Sequence, residues 1–370
     1  MLGISVLTVY SFIPILVKTE GGSPGGYLVK HVMYCLLGFL IMFFVHKKNP
    51  SMVAKLSSFM FFIAILLLVF TFFFGATVNQ ATRWVRVPVI GLTFQTSDFA
   101  KLALVIYLSR LLVLKEKHFE SWKKGFMPML FPVLLVTGFI AFDNLSTAVL
   151  IFLISFLLLY IGRVPITKLL TSIMIGVGGL GILVLIHFSF PSLEFLPRLD
   201  TWYSRFTKAY GENIDTVSNA QAINAELAIH NGGYFGVGVG DGELKQYLPE
   251  AYADFYFSSF IEELGLFSGI FLIFLYLVLF HRIVRIGLNA AKPFETYVCI
   301  GIGLIIITQA LVNMLVCTGL IPVTGQNMPL LAMGGSAMIM TCLGIGIVQS
   351  IAKKNNDLKK SNSISKTAKA

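Results

Sequence analysis

Long apolar runs separated by short polar segments dominate the pattern of this chain. About 20 consecutive apolar residues suffice for a helix to cross the hydrocarbon core of a bilayer, which is about 30 Å thick. The pattern predicts an all-α fold, with one transmembrane domain over residues 1–352. Its ten spanning helices are predicted at 1–17, 28–46, 52–74, 98–114, 127–142, 145–161, 166–190, 258–280, 294–317 and 331–352.

A polar pair, Asp143 and Asn144, interrupts one of the longest apolar runs. Without this pair, the fifth and sixth spans would form one run of about 35 residues, which is too long for a single crossing at 1.5 Å per residue. The pair therefore predicts a tight turn between two helices.

Residues 191–257 form a long polar segment between the seventh and eighth spans. Loops longer than about 15 residues usually carry function or structure of their own. Within this segment Ala220, Ile223 and Leu227 recur at helical spacing, which predicts an amphipathic helix. Gly232-Gly233 then supplies its C-terminal stop.

Composition and charge place the predicted helices in a membrane with a defined orientation. Hydrophobic residues make up 56% of the chain and charged residues only 12%, so the apolar surface requires lipid. The net charge of +10 comes from Lys and Arg in alternate short loops and in the tail, as in the positive-inside rule. This placement disfavours nucleic acid as a partner. It predicts a multi-pass protein of the cytoplasmic membrane, with both termini and a disordered basic tail, 353–370, in the cytoplasm and 191–257 outside.

Carboxylates gather where the outer segment meets the eighth span. Glu250 and Asp254 precede the apolar run, and Glu262 and Glu263 lie at its start. Acidic groups at a membrane surface are costly unless they are solvated, paired or used. These carboxylates, Asp254 and Glu250 among them, are therefore the first candidates for chemistry. The alternative is that both are solvated loop acids.

Three basic residues near the outer surface would suit an anionic ligand. Arg83 and Arg86 flank Trp84 on the side where positive charge is normally depleted. Their guanidinium groups would bind a diphosphate, or they would snorkel around an aromatic anchor. Lys101 lies about one turn inside the fourth span, where a charge is kept for function or for pairing; Asp98 is its nearest local partner.

Glycine-rich segments offer backbone rather than side-chain chemistry. The segment 236–240 alternates Gly and Val, and its amides would contact an anionic head group or form a tight turn for close packing. A nucleotide-binding P-loop is disfavoured, because no strand precedes the segment and no Gly-Lys-Ser/Thr follows it. Gly334-Gly335-Ser336 ends a Gly- and Pro-rich stretch, which predicts irregular backbone lining a cavity or close helix packing.

Taken together and in order, these segments resemble the shape, elongation, division and sporulation (SEDS) family. The similarity covers nearly the whole chain and is greatest to the cell-division branch. The motifs that carry it are Arg83-Trp84, Gln95-x-Ser97-Asp98-x-Ala100-Lys101-Leu102, Asn144-Leu145-Ser146-Thr147-Ala148, Gln221-Ala222, Gly232-Gly233-x-x-Gly236-x-Gly238, Leu248-Pro249-Glu250 with Asp254-Phe255, Glu262-Glu263-Leu264-Gly265, and Pro322-Val323-Thr324-Gly325 with Met328-Pro329-Leu330 and Gly334-Gly335-Ser336.

The resemblance implies a peptidoglycan glycosyltransferase that polymerises lipid II on the outer face of the membrane during cell division. Asp254 corresponds to the family's proposed catalytic acid. In the reaction so implied, a divalent cation, Mg²⁺ or Mn²⁺, would neutralise the leaving diphosphate, with Asp254 and Glu250 as its candidate ligands. A class B penicillin-binding protein, which is a transpeptidase, and other division proteins are the implied partners. The residues assigned to substrate binding on these grounds are Arg83, Arg86, Gln95, Lys101, Gln221, Glu250, Gly334, Gly335 and Ser336.

The chain departs from the family pattern at Asn144, where the family has an acid, and Asp143 is the acid that would substitute. Three alternative functions stay open: a lipid II flippase, an elongation-type polymerase, and a scaffold that only recruits the transpeptidase. A transporter is disfavoured, because the chain has no internal repeat and its ionisable cluster lies at one surface rather than at the membrane midplane.

Overall fold

The computed structural model describes residues 1–78, 81–86, 93–189, 217–248 and 250–367. Of the eleven α-helices in these ranges, ten coincide with the predicted spans and one, α8, is the predicted helix of the outer segment, so the all-α prediction is confirmed. The eleven α-helices are α1 (Leu2–Glu20), α2 (Pro24–Val45), α3 (Pro50–Phe74), α4 (Thr96–Lys115), α5 (Met127–Asp143), α6 (Leu145–Ile161), α7 (Ile166–Ser189), α8 (Val217–Gly232), α9 (Tyr256–Leu288), α10 (Pro293–Cys317) and α11 (Gly335–Thr367).

The helices differ in how well they suit a bilayer. Of the described helices, six are long and apolar enough to cross it: α2, α3, α5 with the turn before it, α9, α10 and α11. α1, α6 and α7 contribute shorter apolar stretches. α4 has 20 residues but carries Asp98 and Lys101, and both of these side chains are buried in the protein. The charges of α4 are therefore kept away from lipid.

α4 lies at the centre of the core. Ala100, Ala103, Leu104, Ile106 and Leu108 along it are completely buried. Burial on more than one face means that α4 packs against helices on several sides, so its position is fixed by the whole bundle.

The turn between α5 and α6 forms as predicted. Asn144 has extended backbone angles (φ −150°, ψ 94°), and its Oδ1 accepts a hydrogen bond of 3.2 Å from the backbone N–H of Thr147. This is the geometry of a helix N-cap, which satisfies an amide that would otherwise lack a partner. The polar pair therefore ends one helix and starts the next.

A small antiparallel sheet between α3 and α4 was not predicted from the sequence. Its strands are β1 (Ala76–Val78), β2 (Ala81–Arg86) and β3 (Thr93–Gln95), in the order β1-β2-β3. Thr and Val favour strands, but runs this short do not stand out beside apolar runs of membrane length.

The C-terminal tail corrects another prediction. α11 continues to Thr367, so the residues from 353 to that point are helical rather than disordered. Lys354 Nζ lies 2.5 Å from Glu295 Oε1, and Asn355 Nδ2 donates to the Ile286 carbonyl at 3.2 Å. These contacts join the first turns of the tail to α10 and α9. Composition alone shows a mostly polar tail. It does not show these partners, because they are distant in sequence.

Candidate active site

The site begins with a short turn that leads into α9. The backbone N–H groups of Ala253 and Asp254 donate to the Glu250 carbonyl at 2.9 and 3.0 Å. Glu250 has φ +57°, a left-handed conformation that costs a non-glycine residue about 1–2 kcal/mol. Asp254 is half-buried between the buried residues Ala253 and Phe255. The turn therefore holds its acid in a defined place while leaving the residue partly exposed.

Asn313, in the last part of α10, fixes the backbone of this turn. Its Nδ2 donates to the carbonyls of Asp254 at 2.9 Å, Ala253 at 3.3 Å and Gln326 at 2.9 Å, and the residue is completely buried. One amide thus joins the acidic turn to the irregular segment after α10. Sequence analysis missed Asn313, although a polar residue deep in an apolar span was a usable signal.

Gln326 extends this polar chain to the start of α6. Its Nε2 donates to Thr147 Oγ1 at 2.7 Å, and its Oε1 lies 3.4 Å from Gln309 Nε2. Thr147 is also the residue whose N–H is capped by Asn144. The Asp254 turn and the Asp143-Asn144 turn are therefore connected through buried side chains. Asn144 caps the N-terminus of α6. An Asp at this position would cap the helix equally well.

Lys101 lies in an ion pair inside the bundle. Its Nζ is 3.2 Å from Asp98 Oδ1, and Ser336 Oγ donates to Asp98 Oδ2 at 2.9 Å. Lys101 and Asp98, with Gln309, line a cavity of about 20 Å³, which has room for about one water molecule and not for a diphosphate. This geometry favours the structural interpretation of Lys101. Its assignment to substrate binding stays a prediction.

Gly334 and Gly335 lie at the start of α11, where the chain is tightly packed. A Cβ on Gly335 would collide with the Tyr34 ring, and one on Gly334 would collide with the Asn327 amide. The geometry therefore favours close packing as the reason for both glycines.

Glu262 and Glu263 are structural rather than exposed acids. They are 0% and 1% exposed, respectively. Glu262 accepts hydrogen bonds from the N–H of Leu244 at 2.9 Å, the N–H of Lys245 at 3.3 Å and the Asn231 amide at 3.2 Å. Glu263 forms an ion pair with Lys245. Of the four predicted acids, only Asp254 and Glu250 keep partial exposure.

The alternating Gly–Val segment packs against these two glutamates. The N–H groups of Val237 and Gly238 donate to the carbonyls of Glu262 at 3.0 Å and Glu263 at 3.1 Å. A Cβ on Gly236 would collide with the Glu263 carbonyl group. Of the two interpretations of this segment, the geometry favours the tight turn for close packing, since the amides of Val237 and Gly238 are already engaged.

The remaining predicted substrate residues lie on separate elements. Arg83 and Arg86 are in β2, and their side chains are outside the described part of the structure. Gln95 ends β3, where it pairs with Trp84 and immediately precedes α4. Gln221 is half-buried in α8. Strand pairing brings the backbone of β2 alongside Gln95, and the substrate contacts of all four stay predictions.

The fold and the site define a polytopic membrane protein in which a half-buried acid, Asp254, precedes α9 and the basic tail packs against the far end of that helix. Residues 1–357 match the family model described as cell cycle proteins, which covers FtsW, RodA and SpoVE. The chain belongs to this family, and the SEDS resemblance is confirmed.

Individual relatives and solved structures agree with this assignment. The chain is 30% identical over 360 residues to the probable peptidoglycan glycosyltransferase FtsW of Coxiella burnetii, covering 95% of this chain and 93% of that protein. It is 31% identical to the FtsW of Geobacter sulfurreducens, with coverage of 94% and 91%. A chain of a peptidoglycan synthase complex shares its fold with a TM-score of 0.72 at 22% identity, covering 95% of this chain and 97% of that one. Thermus thermophilus RodA gives 0.64 at 22% identity, covering 95% of each chain.

Proposed function

We propose that this chain is a peptidoglycan glycosyltransferase of the FtsW type, which polymerises lipid II into glycan strands during cell division. The observation that carries the proposal is Asp254, half-buried in a turn whose backbone Asn313 fixes. The curated relatives, named as probable peptidoglycan glycosyltransferases, support the same activity.

In the proposed reaction Asp254 is the general base. Its carboxylate accepts the proton of a sugar hydroxyl as that oxygen attacks the anomeric carbon of a second lipid-linked sugar. The bond from this carbon to the diphosphate oxygen breaks, and undecaprenyl diphosphate leaves with the bonding electron pair. A positioned base of this kind is worth about 10²–10⁴ in rate.

Positive charge is needed beside the leaving diphosphate. We assign it to Arg83, Arg86 and a divalent cation, Mg²⁺ or Mn²⁺. Among the described residues, no group of three or more His, Cys, Asp or Glu side chains could hold a metal alone. The donor set of Asp254 and Glu250 still fits Mg²⁺, which commonly binds through one or two carboxylates together with substrate phosphates. When bound, the cation would neutralise charge on the diphosphate.

The orientation and the partners complete the proposal. The basic tail packs near the end of α9 that is far from Asp254. Because Lys- and Arg-rich segments stay in the cytoplasm, we place this carboxylate outside and both termini in the cytoplasm. The shared fold with a chain of a peptidoglycan synthase complex supports a class B penicillin-binding protein as partner. Other division proteins are the further partners.

One reconstituted assay tests this function against its rivals. Purified protein in liposomes, with fluorescent lipid II and the transpeptidase partner, should yield glycan ladders. Asp254→Asn should reduce polymerisation about 10²–10⁴-fold. Asp241→Asn, at an exposed acid of the same outer segment, should not. Full polymerisation by the Asp254→Asn variant would overturn the catalytic assignment.

Two other results would favour the alternatives. Transfer of lipid II between leaflets without ladders would make the protein a flippase. Neither transfer nor ladders from a folded, partner-bound protein would make it a scaffold.

A further inference from the structure

We infer that Lys245 is a positioning residue for the reaction, because it ties the segment carrying Asp254 to Glu263 in α9 and to α1. The inference rests on the proposed function and adds to it a residue that does not touch the substrate. Lys245 lies in a short 3₁₀ helix, Leu244–Tyr247, shortly before the acidic turn.

The ammonium group of Lys245 is enclosed by acceptors. It donates to Ser11 Oγ at 2.6 Å, to the Gly240 carbonyl at 3.1 Å and to the Ser11 carbonyl at 3.3 Å, and it pairs with Glu263 Oε1. The side chain of Lys245 is 4% exposed and that of Glu263 is 1% exposed. Ser11 Oγ also contacts Glu263 Oε1, so the three side chains form one closed cluster.

The same stretch of α1 holds the other end of the acidic turn. Thr8 Oγ1 and the Tyr256 hydroxyl lie 2.6 Å apart, and the rings of Phe12 and Tyr256 are 6.1 Å apart between centroids. Tyr256 is the first residue of α9, two positions after Asp254. α1 therefore contacts the chain on both sides of the proposed base, and Lys245 provides the contact on the N-terminal side.

Glu262 strengthens this attachment from α9. Its carboxylate accepts the N–H groups of Leu244 and Lys245, which are the first two residues of the 3₁₀ helix. The segment that enters the acidic turn is thus held by two carboxylates and a serine from two different helices. A displacement of about 1 Å at a reacting group can cost 10²-fold in rate. Loosening this attachment should therefore lower kcat without touching the substrate.

Stability and positioning can be separated by neutralising the ion pair. Lys245→Met or Glu263→Gln alone leaves one buried charge without its partner, which destabilises a protein strongly. The double variant Lys245→Met/Glu263→Gln removes both charges, and such replacements are often neutral for stability. It still lacks the ammonium that binds Ser11 and Gly240.

The experiment measures three quantities for each variant in the full-length protein with its partner. They are kcat and KM for lipid II polymerisation, the Tm in detergent, and amide hydrogen exchange over residues 250–256. The double variant should recover most of the Tm lost by the single variants. Its kcat should stay about 10–100-fold below the unmodified protein with a similar KM, and its exchange should be faster. Gln246→Met, at an exposed neighbour in the same 3₁₀ helix, should change none of these.

Recovery of kcat together with Tm in the double variant would overturn the inference, since Lys245 would then serve stability alone. If the unmodified protein fails to polymerise lipid II, the proposed function is wrong, and hydrogen exchange still decides about Lys245. Unchanged exchange over 250–256 in the double variant would reject its positioning role. Faster exchange would show that Lys245 holds the acidic turn.

Discussion

Asn313 is the residue through which the bundle holds the proposed base. Its amide group has two N–H donors for three carbonyl acceptors, all 2.9–3.3 Å away. Asn313→Asp would replace these donors with an oxygen facing three other oxygens. Because the turn would be pushed away, we expect polymerisation to fall about 10²-fold, as for a 1 Å displacement of a reacting group. The rate of glycan-ladder formation per folded protein measures this effect.

A neighbouring amide in the same helix provides the control. Gln309 is also buried in α10, but its Nε2 makes only a 3.4 Å contact to Gln326 and does not reach the acidic turn. Gln309→Met should therefore lose much less activity than Asn313→Asp. Equal losses in the two variants would mean that any change in this polar chain is harmful and that Asn313 has no special relation to Asp254.

Asp254 was proposed from the sequence, whereas Asn313 and Lys245 were not. An acid just before a long apolar run is visible locally, and the family resemblance points to the same residue. The role of Lys245 depends on its contact with Ser11, which is 234 residues away in the sequence. The role of Asn313 depends on its hydrogen bond to the Asp254 carbonyl, 59 residues away. A local sequence pattern does not show such distant partners. The residues that support the acidic turn can therefore be identified only in the folded chain.

The kink in α9 is the feature that allows the outer segment to dock. Gly265 has φ +82° and ψ 170° inside this helix, and a Cβ there would collide with the backbone of Tyr234 and Phe235. Gly265→Ala combines this collision with the cost of a backbone conformation that is essentially restricted to glycine, about 1–3 kcal/mol. We expect a clear fall in Tm and in folded yield, measured by size-exclusion chromatography in detergent.

A glycine with free space around it is the matched control. Gly176 lies within α7, and a Cβ there would meet nothing within 4 Å. Gly176→Ala should keep or raise the Tm, because alanine is favoured over glycine in a helix by about 1 kcal/mol. A Gly265→Ala variant as stable as Gly176→Ala would show that the kink is not required for docking.

Helices of membrane length were predictable, and the short elements were not. Each spanning helix carries its own apolar run, and a polar pair such as Asp143-Asn144 is enough to divide two of them. The sheet β1–β3 and the helical extension of α11 depend on contacts with distant segments, such as Glu295 with Lys354. Their local sequences are short or polar, so no local pattern predicts these elements.

The distribution of charge over the protein leads to a prediction about its orientation. All four native cysteines, Cys35, Cys299, Cys317 and Cys342, are buried and should react little with a membrane-impermeant maleimide. Asp241→Cys, at an exposed position of the outer segment, should be labelled on intact cells. Lys359→Cys, at an exposed position of the C-terminal extension, should be labelled only after the membrane is permeabilised.

Moving a positive loop across the membrane is unfavourable, and the basic residues of several loops and the tail fall on one predicted side of it. Their effects on orientation add, so a single substituted Lys should not reverse the orientation.

The protein without introduced cysteines gives the background for both labelling conditions. Labelling of Lys359→Cys on intact cells, with protection of Asp241→Cys, would place Asp254 in the cytoplasm. Polymerisation of lipid II at the outer face by this residue would then be impossible.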